Sequence, residues 1–240
     1  MVLRGRRVER LGEATLLTNG LLITVDRQRR IIRDGAIRVE GSRITAVAKQ
    51  LEPGAGEEVV DLHGQWVIPG LVDTHVHLAQ AMISGCADDM SLVDWLVKRV
   101  WVLQGNYTEE DGAASARLCI AEMIKSGTTT FVESMLAERY GFDGIARVVE
   151  QSGIRACLGT IVMDQPGYAG EENVMHAGMI EDRRTSVDNT LAMHRKWDRA
   201  ADGRIRVWFG ARTPGSDTHD DLRGVSALSN TPHTGHTSRV

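Results

Sequence analysis

One stretch constrains this chain more than any other: Val67-Ile68-Pro69-Gly70-Leu71-Val72-Asp73-Thr74-His75-Val76-His77. An apolar strand, interrupted once by Pro69-Gly70, runs out into two histidines one residue apart. Side chains at i and i+2 of a strand share a face, so His75 and His77 project side by side. Two imidazoles at the C-terminal end of a strand can take adjacent positions on a zinc-like ion. A bare H-x-H is a weak signal, because solvated or core-satisfied histidines give the same spacing. Its setting strengthens it: an apolar strand expected to be buried, its C-terminal end, and Asp73 just ahead of the pair.

Downstream the pattern alternates. Leu92, Trp95, Leu96, Arg99 and Val100 have helical spacing. Thr108 followed by Glu109-Glu110-Asp111 reads as an N-cap with acids in the first turn, where they oppose the helix dipole. Leu118, Ala121, Met123 and Ile124 carry that helix to Gly127, which has the place of a C-cap. The β-branched run from Thr128 to Val132 reads as a strand. A helix is expected from about Asp143 to Gln151, ended by Gly153, then a strand from Ile154 to Met163. A polar helix from Asp182 to Trp197 leads to a strand at Arg204 to Phe209.

Strands alternating with helices indicate βα units and a parallel sheet, an α/β chain. Four units are expected, on Trp66 to His77, Thr128 to Glu133, Arg155 to Met163 and Ile205 to Phe209. A closed barrel of eight such units takes about 200 to 250 residues, and only about 180 follow the N-terminal strands. The expected architecture is therefore the first half of a TIM-type (β/α)8 barrel, with an open edge at its fourth strand around Arg206 to Phe209 that invites self-association.

Ahead of the histidines, Leu16 to Val60 reads as short strands. Leu21 to Val25 comes first, then a turn at Asp34-Gly35 into Ala36 to Val39, and a second at Gly41-Ser42 into Ile44 to Val47. Pro53 to Gly56 breaks the pattern, and Val59 to Leu62 resumes it. Such strands are too few and too short to close a domain alone. The expected divisions are 1–62 for these strands, 63–228 for the partial barrel, and 229–240 for a disordered or aberrant tail. From Ser229 to Arg239 no large apolar residue appears, whereas a buried parallel strand reads as a Val/Ile/Leu run. No strand or helix pattern carries His233 and His236. A truncated, frameshifted or misassembled reading frame would produce such an end.

A net charge of −4 gives no electrostatic reason to expect nucleic acid or an anionic membrane. Three scattered cysteines form no disulfide framework and suit a reducing compartment. The basic start (Arg4, Arg6, Arg7, Arg10) is followed by no apolar h-region, and no run approaches a membrane span. Cytoplasm is the expected location, and homo-oligomers stay open.

The run Pro69-Gly70-Leu71-Val72-Asp73-Thr74-His75-Val76-His77 resembles the first barrel strand of the amidohydrolase superfamily, P-G-(L/F)-(V/I)-(D/N)-x-H-x-H. The resemblance continues through Ser91 to Leu96, Lys125 to Thr130 and Trp208-Phe209-Gly210, covering about residues 16 to 215. It implies that 1–62 is the N-terminal share of a small β-sandwich. It assigns His75 and His77 to one divalent ion, zinc or alternatively iron, which lowers the pKa of a bound water. Binuclear members carry a lysine at the end of the fourth strand, and Trp208-Phe209-Gly210-Ala211-Arg212 has none. That departure points to the mononuclear branch of cytosine, guanine and S-adenosylhomocysteine deaminases and triazine hydrolases.

In that branch a histidine on strand five and an aspartate on strand eight complete the ligand set, and the proton-transfer glutamate follows strand five. None can be placed here, since the expected apolar strand ending in H-x-x-E is absent. The resemblance puts Trp95 in a substrate pocket; a core tryptophan fits equally. Nucleoside deaminases of the branch carry a ribose-binding glutamate near Gln104, so glutamine there weakens a ribose reading. Gln80 and Gln104 together resemble the neutral amides that face an N-heteroaromatic ring in atrazine-type chlorohydrolases. Glu133 ends the second strand, facing either the pocket or a helix. Two expectations follow: a metal-dependent hydrolase of a small N-heterocyclic amine or halide, or an inactive fragment with half the fold.

Overall fold

The structure, a computed structural model, describes residues 14–168, 172–211 and 236–238. The chain forms two compact units, Met1–Leu71 and Val72–Val240. In the first, strands β1 (Ala14–Ile23), β2 (Ile31–Glu40), β3 (Arg43–Ala48) and β4 (Glu58–Asp61) make a sheet ordered β3-β2-β1-β4, with β5 (Trp66–Val67) also beside β1. The β1/β2 and β2/β3 pairs are antiparallel, while β4 and β5 run parallel to β1. Leu17, Leu22, Ile37 and Leu62 form its small buried cluster.

The turn expected at Asp34-Gly35 is not there. Both residues lie inside β2, and the chain reverses earlier, where Arg29 N–H donates to the Asp26 carbonyl (2.9 Å). The Asp26 carboxylate holds this reversal by pairing with the Arg30 guanidinium at 2.6 Å. Asp-Gly tolerates a left-handed backbone in a turn or an irregular strand alike. Here Asp34 has φ 52°, and Gly35 is packed under Leu22, so closely that a Cβ would sit 2.6 Å from Leu22 Cδ1.

The second sheet is ordered β10-β9-β8-β7-β6: β6 (Leu71–Val76), β7 (Thr128–Leu136), β8 (Arg155–Val162), β9 (Ile205–Ala211) and β10 (His236–Ser238). Pairings β7/β8, β8/β9 and β9/β10 are parallel. The strand expected over Trp66 to His77 divides at Pro69-Gly70: Trp66–Val67 pairs with β1, and Leu71–Val76 joins β7. Proline brings no N–H to a ladder, which explains the break. β6 is also less buried than expected, with Leu71 50% and Val72 61% exposed, because it lies at the edge of its sheet.

Helices follow the strands. α1 (Leu92–Trp95) and α2 (Trp101–Gln104) are joined by a wider turn, Leu96–Val100. α3 (Glu109–Ser126) begins with a capping box, in which Thr108 accepts from Asp111 N–H and Asp111 accepts from Thr108 N–H, and ends at Gly127 with φ 93°. α4 (Phe142–Ser152) stops at Gly153, φ 80°, and α5 (Arg183–Trp197) is capped by Asp182. Phe131, Leu158, Ile161 and Val207 of the sheet are buried in one core with Trp101, Ile120, Ile145 and Val149 of the helices.

The tail differs from its expectation at three residues. His236–Ser238 pair in parallel with Phe209–Ala211, so the expected open edge of β9 is covered at its C-terminal end. Three residues can join a sheet through backbone groups alone, which is why no apolar pattern marks them. His233 and the rest of that tail lie outside the described residues.

Asp143 on α4 ties that helix to α5, pairing with the Lys196 ammonium and accepting from Trp197 Nε1 at 2.6 Å. These donors, Lys196 first, hold its carboxyl below the ordinary value. Its unfolded value is near 3.9, so the stabilisation is present above about pH 4 and is lost as pH falls through the lower folded value. Asp143→Asn is therefore expected to be less stable than wild type at pH 7, with the gap narrowing by about pH 3. Urea midpoints at the two pH values check this; a constant gap contradicts it.

Candidate metal centre

His75 lies in β6 and His77 one residue beyond it. As the alternation requires, both rings fall on one face: their Nε2 atoms are 3.2 Å apart, with ring centroids 4.9 Å apart and planes at 76°. Two nitrogens bound tetrahedrally to zinc at about 2.0–2.1 Å lie about 3.3 Å from each other. The pair therefore fits two adjacent ligand positions as it stands. Asp73 Oδ1 accepts from His75 N–H at 3.1 Å and fixes the backbone ahead of the pair.

The other nitrogen of His77 faces Glu133. Its Nδ1 is 3.5 Å from Glu133 Oε1, and the carboxylate is fully buried at the sheet's second strand. The same carboxylate accepts from Met135 N–H at 2.7 Å and from Leu78 N–H. Of the two places expected for Glu133 the structure shows the helix contact: its carboxylate accepts from Leu78 N–H, the first residue of a short 3-10 helix (Leu78–Ile83) that starts just after His77, and it does not line the cavity beside His77. A carboxylate behind a metal-binding imidazole fixes its tautomer and orientation. A second anchor, Ser115 of α3, donates to the Leu78 carbonyl at 2.7 Å and accepts from Met82 N–H at 3.3 Å. Helical spacing places Ser115 on α3 but says nothing of what it touches, and only a buried hydroxyl on a core-facing position could have marked it.

Beside His77 is a cavity of about 410 Å³, lined among others by Gln80, Trp95, Cys119 and Glu122. Trp95 lines this cavity while packing partly against the core. Gln80 also lines the cavity, and its Nε2 donates to Gln104 Oε1 at 3.3 Å. Gln104 is fully buried behind Gln80, and its Nε2 has no hydrogen-bond partner among the described residues. Burial, with the nearby carboxylates of Glu133, Glu122 and Asp73, pushes the Cys119 thiol up to about 11. A thiol raised in this way is protonated at neutral pH unless a metal binds it. Among the described residues, no three His, Cys, Asp or Glu side chains converge as a metal site.

The pattern of the amidohydrolase family matches residues 66–238. The chain belongs to the amidohydrolase family. It is 33% identical over 201 residues to the 5'-deoxyadenosine deaminase of Methanobrevibacter smithii, covering 84% of this chain and 42% of that protein. It is 31% identical over 219 residues to the 5-methylthioadenosine/S-adenosylhomocysteine deaminase of Pelotomaculum thermopropionicum, covering 89% of this chain and 46% of the relative. This amidohydrolase chain thus spans a little under half the length of these relatives.

Solved structures share its fold. Atrazine chlorohydrolase from Arthrobacter aurescens TC1, complexed with zinc, superposes with a TM-score of 0.81 at 19% identity, over 93% of this chain and 52% of that one. Guanine deaminase from C. acetobutylicum, with bound guanine, gives 0.79 at 21% identity, over 94% and 52%. Among the described residues of the amidohydrolase chain, no helix is long and apolar enough to cross a membrane.

Proposed function

We propose that this chain carries the first half of the (β/α)8 barrel of an amidohydrolase that hydrolyses an exocyclic C–N or C–halogen bond on an N-heteroaromatic ring. His75 and His77 would hold one divalent ion, zinc or alternatively iron. The observation that carries this reading is the convergence of their Nε2 atoms at 3.2 Å, beside a cavity with an indole and an amide in its wall. When bound, the ion polarises water and lowers its pKa toward neutrality.

The chain's own residues have defined parts. Trp95 offers an apolar face against which a planar ring can pack. Gln80 presents a neutral amide at the same wall, and Gln104 holds that amide from behind. A neutral amide pair suits ring nitrogens and exocyclic substituents better than a ribose diol, for which a carboxylate is the stronger acceptor. The deaminase names of the relatives support the reaction class. The remaining ligands and the proton-transfer glutamate are assigned, by family resemblance, to strands beyond the fourth.

The test is kcat/KM on a guanine-type base, a substituted triazine and 5'-deoxyadenosine, in a polypeptide that supplies the remaining ligands. A buried polar group left unpaired costs about 1–3 kcal/mol, so the ring without ribose is expected to lead on the order of 10- to 100-fold. A clear preference for the nucleoside overturns this reading of Gln104. A second reading, a chain with this fold and no turnover, is favoured by the lack of a third ligand among the described residues. Zinc content and a deaminase assay, compared between the 240-residue chain and a polypeptide that supplies the remaining ligands, separate the two.

A further inference from the structure

We propose that Glu133 is a positioning residue for His77: its buried carboxylate holds the imidazole with Nδ1 protonated and Nε2 free beside that of His75. This rests on the reading of His75 and His77 as ligands and adds a residue to it.

The argument is one of hydrogen-bond supply. Glu133 is fully buried, and no cation is paired with it among the described residues except through His77. A carboxylate in that position needs donors, and three face it. Met135 N–H reaches Oε1 at 2.7 Å, Leu78 N–H reaches Oε2, and His77 Nδ1 lies 3.5 Å from Oε1. Two of the three are backbone groups that cannot move far, one on β7's own end and one directly after His77. The carboxylate therefore ties β7 to the residue that follows the histidine and, from the same oxygen that receives Met135 N–H, meets the ring.

An ionised carboxylate only accepts, so the nitrogen facing it is the one that carries the proton. In the neutral ring the other nitrogen, Nε2, then keeps its lone pair. That is the nitrogen 3.2 Å from His75 Nε2. The neutral imidazole binds a divalent ion through that lone pair, and a carboxylate behind it raises the ligand's basicity. Glutamine at 133 has the shape but not the chemistry. Its amide offers one acceptor oxygen where the carboxylate offers two, and its NH2 would oppose a backbone N–H or the ring N–H.

The experiment uses the 240-residue chain, labelled with 15N at histidine alone. Magic-angle-spinning 15N spectra read the ring tautomers whether or not the chain self-associates, and His77→Asn assigns the His77 signals by difference. Zinc titration of the same samples gives affinity. In wild type, the His77 ring is expected as a single Nδ1–H tautomer. In Glu133→Gln the tautomers mix, and zinc binds on the order of 10- to 100-fold more weakly. Glu133→Asp, which keeps the charge at a shorter reach, is expected to retain the Nδ1–H tautomer in larger part than Glu133→Gln.

A wild-type His77 in the Nε2–H form overturns the proposal, even if neither variant folds. So does a folded Glu133→Gln with unchanged tautomer and unchanged zinc affinity. If wild type binds no zinc while His77 is Nδ1–H and responds to Glu133→Gln, the positioning role stands; the ligand reading fails only if zinc is also absent from a polypeptide that supplies the remaining ligands.

Discussion

Alanine at His77, in a polypeptide that supplies the remaining ligands, is expected to lose both its metal and its turnover. Catalytic zinc sites use about three protein ligands, so removing one takes away a large part of the cage. The loss is compounded at this position. His77 is the ring that the Glu133 carboxylate meets, and its side chain is nearly buried at 11% exposure. Its removal leaves that carboxylate with one donor fewer and opens space beside the cavity. His75→Ala should give the same loss of metal with less disturbance of the fold, since His75 is exposed. Zinc content after dialysis, measured with the rate on the preferred ring substrate, is the check. Stoichiometric metal and full rate in His77→Ala would remove the central claim.

The legible parts of this chain are those set by short-range chemistry. Thr108 and Asp111, three residues apart, cap a helix as their spacing requires, and Gly127 and Gly153 end helices at positive φ. The two histidines share a face because a strand's period is two. What sequence could not give is what lies opposite. Glu133 is 56 residues from His77, and only the adjacency of β6 and β7 brings its carboxylate behind the ring. Of the two places expected for it, the helix-facing one holds, at the first turn after His77, and the contact with the ring was not foreseen. Gln104 was expected to face a ring together with Gln80; it lies buried behind Gln80 instead, a position that depends on how α2 packs. Asp34-Gly35 fails for a different reason: the local rule specifies positive φ, which a turn and a strand irregularity both satisfy.

The edge of the second sheet leads to the other large effect. The open edge was expected at β9, but β10 covers part of it, and β6 has a neighbour on one side only among the described residues. β6 carries Val72 at 61% exposure and Leu71 at 50%. Exposed apolar side chains on an edge strand favour pairing with another copy of the same strand. The 240-residue chain, expressed alone, is expected to self-associate through β6, increasingly so with concentration. Val72→Lys should shift it strongly toward monomer, because strand pairing at that position would strip water from an ammonium group. Gln151→Lys, at the exposed end of α4, adds the same charge away from the edge and should leave the association unchanged. Light scattering coupled to size exclusion across a concentration series distinguishes them. Equal behaviour of the two variants would place the association on another surface, and a monodisperse wild-type monomer would show that the β6 edge is protected.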